Sequence, residues 1–129
     1  MSASPQPVAF NGALSLSADQ SLPPDPIPYN FSGQYVELLD TLFNLTSSGT
    51  VDVPFGSIGA PGALGLLIIY PPNQTGAASV YVTINGGSEA LELGPGGMLV
   101  WFNPSAAVGL TACSIEYSAA CQLRVRLLG

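Results

Sequence analysis

Residues 78–102, ASVYVTINGGSEALELGPGGMLVWF, decide the class of fold. The first part, Val80–Ile84, alternates aliphatic residues with Tyr81 and Thr83. A period of two suits a β-strand, because successive side chains of a strand point to opposite faces. This stretch therefore predicts β structure.

Two groups of turn residues divide the stretch into three strands. Asn85-Gly86 supplies the positive φ that a tight hairpin requires, so the chain should reverse there. Gly94–Gly97 forms a second break after the short alternating run Leu91–Leu93. Met98–Phe102 then follows and is apolar in both phases. Such a strand is expected to be central in its sheet or covered by a partner on its outer side.

Further strands are expected along the whole chain at intervals of roughly 8 to 12 residues, with no convincing helix. Ala63–Tyr70 is aliphatic on both faces and is a second candidate for a central strand. A closing hairpin, with its turn at Ser118–Ala120, would place Cys113 and Cys121 in the same core. The predicted fold is all-β, an antiparallel β-sandwich or jelly-roll-like barrel of eight to nine short strands.

Tyr35–Thr46 fits two structures. Leu38, Leu42 and Leu45 have helical spacing, but the turn after Thr46 and the clean alternation of Thr50–Phe55 favour a hairpin. We therefore predict a strand. Pro54 would restrict the following run to a sheet edge or to the end of its ladder.

The N-terminal part, residues 1–34, should be separate from a β-sandwich domain of residues 35–129. It contains a short strand within Val8–Ser17 and then a proline-rich run. Proline runs favour an extended polyproline conformation. The run could be an arm that reaches a neighbouring subunit, or a connection along the domain's own surface. Its prolines are candidate interface residues: Pro23, Pro24, Pro26 and Pro28.

The composition is unusually poor in charge. Charged residues make up 8% of the 129 residues, against about 25% in typical domains, and there is no Lys or His. The exterior must then consist mainly of small and neutral polar residues. Since interspersed charge normally keeps a monomer soluble, this surface is expected to be covered in an assembly. The alternative is a neutral but soluble domain without a large apolar patch.

The charge balance also bears on partners and compartment. The net charge is −6, and Arg124 and Arg126 are the two basic residues, which argues against nucleic acid and anionic membranes as partners. No signal peptide is evident in the first ten residues, MSASPQPVAF. We therefore expect cytoplasmic synthesis with Cys113 and Cys121 as reduced core residues, although their proximity could allow a disulfide.

Known catalytic arrangements are hard to build from this chain. General-base catalysis lacks a histidine, Ser-Lys catalysis lacks a lysine, and the cysteines have no companions with which to hold zinc. Six carboxylates are isolated on polar strand phases or beside turns, where a solvated face explains them: Glu37, Asp40, Asp52, Glu89, Glu92 and Glu116. We expect no enzyme activity, no cofactor and no metal.

Two binding functions remain open. Tyr70, Tyr81 and Trp101 lie in predicted strands and could form an aromatic platform for sugar. The same residues could instead lie in the core or at a subunit interface. The shortage of charge favours the interface, so these three aromatic residues join the four prolines as interface candidates.

The chain from about Thr46 to the C-terminus resembles small structural proteins of tailed bacteriophages. The resemblance rests on SSGTVDVPFGSIGAPGALGLLIIYPP, VYVTINGGSEALELGPGGMLVWFNPSA and the closing SAACQLRVRLLG. These motifs mark turns and strands and carry no catalytic signature. They cover roughly two thirds of the chain.

The resemblance implies a capsid decoration or cement protein. It implies a jelly-roll homotrimer on the outer surface of the virion, made in the host cytoplasm and bound to the major capsid protein or another virion protein. A tail, fibre-base or head-fibre component is an alternative within the same resemblance. A carbohydrate-binding sandwich module is the alternative that the aromatic residues suggest.

Overall fold

The computed structural model describes residues 6–14, 27–35, 38–59, 62–72, 74, 78–103 and 109–129. All of its regular elements are strands. Their bounds are β1 Gln6–Leu14, β2 Ile27–Tyr35, β3 Leu38–Leu45, β4 Gly49–Asp52, β5 Gly65–Ile69, β6 Val80–Ile84, β7 Leu91–Leu93, β8 Met98–Phe102, β9 Cys113–Tyr117 and β10 Cys121–Leu128.

Eight of these strands form two four-stranded antiparallel sheets. The order of the first sheet is β3-β10-β5-β8, and the order of the second is β4-β9-β6-β7. The pairs β3/β10, β4/β9, β5/β8 and β6/β7 are nested along the chain, as in a jelly roll. The all-β sandwich prediction is confirmed. The sandwich has eight strands, within the predicted eight to nine, and a separate N-terminal hairpin adds two.

The core lies between the two sheets. Alternate residues of β10, from Cys121 to Leu127, are buried, and so are Leu66, Ile68 and Tyr70 of the first sheet. Val80, Val82 and Ile115 meet them from the second sheet. Both cysteines are buried in this core as free thiols, as expected of reduced core residues.

The predicted central and ambiguous strands turn out as follows. β5, within Ala63–Tyr70, is central, since it pairs with β10 and β8. Residues 38–45 form a strand rather than a helix, and β4 is an edge strand that ends before Pro54. These predictions are confirmed.

The strand pairing differs from the expectations for one topological reason. β8 lies in the other sheet from β6 and β7 and is an edge strand, so a central position is excluded, whereas cover of its outer side by a partner stays a prediction. The expected hairpins β3–β4 and β9–β10 also do not pair, because each connection crosses from one sheet to the other. At the Ser118 crossing, Ser79 N donates a hydrogen bond of 2.8 Å to Ser118 Oγ, and Ser118 N donates to Ser79 O. Sequence periodicity identifies strands but does not reveal which strand is the hydrogen-bonded neighbour.

The N-terminal strands form a hairpin of their own. β1 and β2 are antiparallel over nine residue pairs, from Gln6 opposite Tyr35 to Leu14 opposite Ile27. Among the described residues neither strand joins one of the two sheets. Pro28 is part of β2, opposite Ala13, so it does not continue an irregular connection. Pro23, Pro24 and Pro26 lie outside the described residues.

Candidate interaction surface

The outer side of the first sheet carries the most exposed apolar side chains of the sandwich. Leu42 on β3 is 57% exposed and Met98 on β8 is 55% exposed. The rest of this side is half-buried or exposed and also largely apolar. We call it the apolar face, and its apolar residues are Leu38, Leu42, Leu67, Ile69, Met98, Val100, Phe102 and Leu128.

The strand register arranges these residues in rows across the sheet. One row runs Leu42, Arg124, Ile69 and Met98, and the next runs Asp40, Arg126, Leu67 and Val100. The last row runs Leu38, Leu128, Gly65 and Phe102. Apolar residues therefore lie on both halves of the sheet. The last row is free of charge from β3 to β8, whereas the charged group on β3 and β10 interrupts the other two rows.

Gly65 leaves space for the side chains of Leu128 and Phe102 in the last row. A Cβ atom at this position would lie 3.1 Å from the Phe102 ring and 3.5 Å from Leu128 Cδ1. Those side chains therefore lie over the glycine and fill the space above it. A larger residue here would displace the Phe102 ring.

The charged group is a single carboxylate held by both arginines of the chain. Arg124 Nη2 lies 3.1 Å and Arg126 Nε lies 3.2 Å from Asp40 Oδ2. The hydrogen bond from Arg124 lowers the pKa of Asp40, and the same bond raises the pKa of Arg124. The cluster carries a net charge of +1, and its one carboxylate is hydrogen-bonded to both arginines.

The base of the N-terminal hairpin lies at one end of the apolar face. Pro7, Ala9 and Tyr35 line a groove of about 340 Å³ together with Leu38, Phe102 and Leu128. Arg126 also lines it, so the groove reaches the charged cluster. The groove thus connects the hairpin to the apolar face.

The outer side of the second sheet has the opposite character. Glu116, Tyr81 and Glu92 lie side by side on β9, β6 and β7, and Asp52 lies in the next row on β4. Both arginines of the chain belong to the other sheet. The two outer surfaces of the sandwich therefore differ in charge sign and in apolarity.

The three predicted aromatic residues do not come together. Tyr70 is completely buried, and its hydroxyl donates a 3.2 Å hydrogen bond to the Ala78 carbonyl, while burial raises its pKa. Tyr70 is therefore a core residue, and its assignment to a surface is wrong. Trp101 packs partly against the core and lines the groove, whereas Tyr81 lies on the second sheet, 37% exposed. A shared platform of these three residues is excluded.

Sequence reasoning missed the residues that make the apolar face. No local pattern marks Leu42 or Met98 as interface residues. Asp40 and Arg124, which are hydrogen-bonded to each other, are 84 residues apart in the sequence. A signal was present in β8, whose two phases are both apolar. We expected such a strand to be central or covered, and the structure makes it an edge strand whose outer phase is open.

Other chemical groups are sparse in the described part of the chain. No three His, Cys, Asp or Glu side chains among the described residues lie together as metal ligands would. Burial raises the pKa of the Cys113 thiol to about 11, and Asp52 adds to the shift. None of the described residues belongs to a helix that is long and apolar enough to span a membrane.

Comparisons with protein-family models, with curated proteins and with solved structures find no match to this chain. The geometry of the surface and the chemistry of its residues therefore carry the functional argument.

Proposed function

We propose that the chain is a non-enzymatic structural protein of a virus particle, a decoration or cement protein that binds the outer surface of the capsid. The observation that supports this role is the apolar face. It presents three strongly exposed apolar side chains on one side of the sandwich, Leu38, Leu42 and Met98. Exposed apolar patches of this kind mark interaction sites.

The mechanism would be burial of this face against neighbouring protein. Each 100 Å² of apolar surface removed from water contributes about 2.5 kcal/mol before the costs of association. The Asp40–Arg124–Arg126 cluster would add orientation, because its hydrogen-bond directions are fixed by the two arginines. A cement protein works in this way when its contact spans two capsid subunits at once.

The jelly-roll order is compatible with this role but does not select it, because capsid and lectin domains share that architecture. The distribution of side chains favours assembly. A sugar site typically needs neighbouring exposed aromatics, whereas Tyr70 is buried and Tyr81 and Trp101 lie on different sheets. The apolar residues, by contrast, lie together on the outer side of one sheet, and one row without charge runs from Leu38 to Phe102.

Cosedimentation tests the proposal. The purified chain is mixed with expanded capsids of the virus that encodes it, and the bound amount per capsid is measured. We expect saturable binding that Leu38→Glu weakens at least tenfold, because the new carboxylate would be buried at the contact. Leu91→Glu is the matched control, since Leu91 is 50% exposed on the second sheet.

The carbohydrate alternative is tested on the same samples. We expect the wild-type chain to pass unretarded through a polysaccharide column, and Tyr81→Ala to bind capsids like wild type. A chain that ignores capsids but is retained on the column through Tyr81 would refute the virion role.

A further inference from the structure

We propose that the apolar face of one copy receives the N-terminal hairpin of a second copy, so that the subunits of an oligomer exchange their arms. This inference rests on the proposed assembly role and names the partner of part of the same surface. The hairpin consists of β1 and β2, and the face belongs to the first sheet. Three features of the chain support the exchange.

The first feature is the isolation of the hairpin. Its nine-residue strands pair with each other, and among the described residues no strand of the sandwich extends them. A two-stranded hairpin is marginally stable in water, since it lacks a third strand or a packed layer to offset its ordering entropy. The hairpin therefore requires a surface on which to pack.

The second feature is the pattern of the hairpin sequence in its observed register. One phase is apolar or aromatic apart from Gln6 and two glycines, and its pairs are Gln6–Tyr35, Val8–Gly33, Phe10–Phe31, Gly12–Tyr29 and Leu14–Ile27. The other phase consists of small residues, prolines and neutral polar residues, with the pairs Pro7–Gln34, Ala9–Ser32, Asn11–Asn30 and Ala13–Pro28. Neither strand contains a charged residue. A neutral ribbon with one apolar phase matches a face that is mainly apolar and whose one carboxylate is already paired with both arginines.

The third feature is what the chain's own hairpin leaves open. Residues 36 and 37 join it to Leu38, at the end of the face where the groove lies. With the hairpin in place, Leu42 and Met98 in the far row remain more than half exposed. The arm of a neighbouring copy would cover that row. Cyclic symmetry would then give every face one arm.

Contact between the two sandwiches themselves is the competing arrangement. The acidic outer side of the second sheet, with Asp52, Glu92 and Glu116, could face the arginines of another copy. That contact would be chiefly electrostatic and would weaken at high ionic strength. Arm exchange is chiefly apolar, so we expect the oligomer to persist in 1 M salt.

Disulfide trapping between different chains tests the exchange. One set of full-length variants carries a thiol in the apolar phase of the arm: Val8→Cys, Phe10→Cys and Leu14→Cys. A second set carries it on the far row of the face: Leu42→Cys and Met98→Cys. Each arm variant is mixed with each face variant under mild oxidation and run on a non-reducing gel. The native cysteines give little background, because both are buried.

We expect at least one arm–face combination to give a covalent heterodimer. Leu91→Cys is the control with similar exposure on the other sheet and should give none with any arm variant. A disulfide requires Cα atoms within about 7 Å, so trapping reports contact. Absence of every arm–face heterodimer overturns the exchange. A double variant with one arm cysteine and one face cysteine on the same chain gives a second test. If its disulfide closes within one chain while the wild-type protein is monomeric, the exchange is also overturned.

Light scattering separates this inference from the virion role, because it needs no capsid. We expect an oligomer of the wild-type chain that Met98→Glu dissociates and Leu91→Glu leaves intact. A monomer that still binds capsids overturns arm exchange and retains the decoration role. An arm-exchanged oligomer that does not bind capsids supports arm exchange and overturns the decoration role.

Discussion

The Asn85 side chain fixes two parts of the second sheet at once, and its removal has a calculable cost. Asn85 begins the turn after β6 with a φ of +52°, and Gly86 follows with +66°. Its side-chain oxygen accepts hydrogen bonds from Thr111 N at 2.7 Å and Ala112 N at 3.2 Å. These bonds attach the turn to the segment that leads into β9.

We expect Asn85→Ala to lower the free energy of unfolding by about 2–3 kcal/mol. The two backbone hydrogen bonds contribute about 0.5–1 kcal/mol each at this exposed position, and a non-glycine, non-Asn residue at positive φ costs roughly 1 kcal/mol. Asn85→Gly loses the hydrogen bonds without the φ cost, so we expect a loss of about 1–2 kcal/mol. Asn85→Asp keeps the acceptor and loses only the long 3.4 Å hydrogen bond that Asn85 Nδ2 donates to the Gly109 carbonyl, so it should stay within about 1 kcal/mol of wild type.

Urea unfolding followed by circular dichroism measures all three variants. The free energy of unfolding should fall progressively in the order Asn85→Asp, Asn85→Gly, Asn85→Ala. If Asn85→Gly proved as destabilised as Asn85→Ala, positive φ would not contribute at this position. If Asn85→Asp were as unstable as Asn85→Ala, the accepted hydrogen bonds would not hold the Thr111 segment.

Three further results are expected. Tyr70→Phe should lower the free energy of unfolding by about 1 kcal/mol in urea titrations, because the Ala78 carbonyl loses its buried donor; an unchanged value would mean that this bond contributes nothing. The Cys113 thiol, with its pKa raised to about 11, should resist a thiol reagent at pH 8 and react only in denaturant, and rapid labelling of the native protein would contradict its burial. The pKa of Asp40 is lowered in the folded state, so ionised Asp40 stabilises the fold above about pH 4, and this contribution is lost as the pH falls through the folded-state pKa. The melting temperatures of wild type and Asp40→Asn should therefore converge in acid. A difference that stays constant with pH would refute the ion pair with Arg124.

Local patterns in the sequence predict most of the strands. β6 and β10 alternate cleanly, and Asn85-Gly86 predicts a reversal that the structure contains. The second role of Asn85 was not predictable, because Thr111 lies 26 residues away and belongs to a different strand connection. A turn needs local φ preferences, whereas a cross-link depends on which loops the fold brings together.

The candidate surface shows the same division. The low charge predicts a surface that is covered in an assembly, and the two apolar phases of β8 predict a strand that is central or covered. Neither pattern indicates which side of the sandwich is covered. Tyr70 and Met98 both lie in runs that are apolar in both phases, yet one is fully buried and the other is 55% exposed. That difference depends on which face of each strand points between the sheets.

Neighbouring residues are enough to predict that this chain forms antiparallel strands, a charge-poor exterior and turns at its Gly and Asn positions. The crossing of consecutive strands between the two sheets, and the contact of Asp40 with both arginines, depend on the folded arrangement of the whole chain. The same crossings placed Leu42 and Met98 on one open face. Pairing between distant strands is set by the packing of the whole core, which no local pattern encodes.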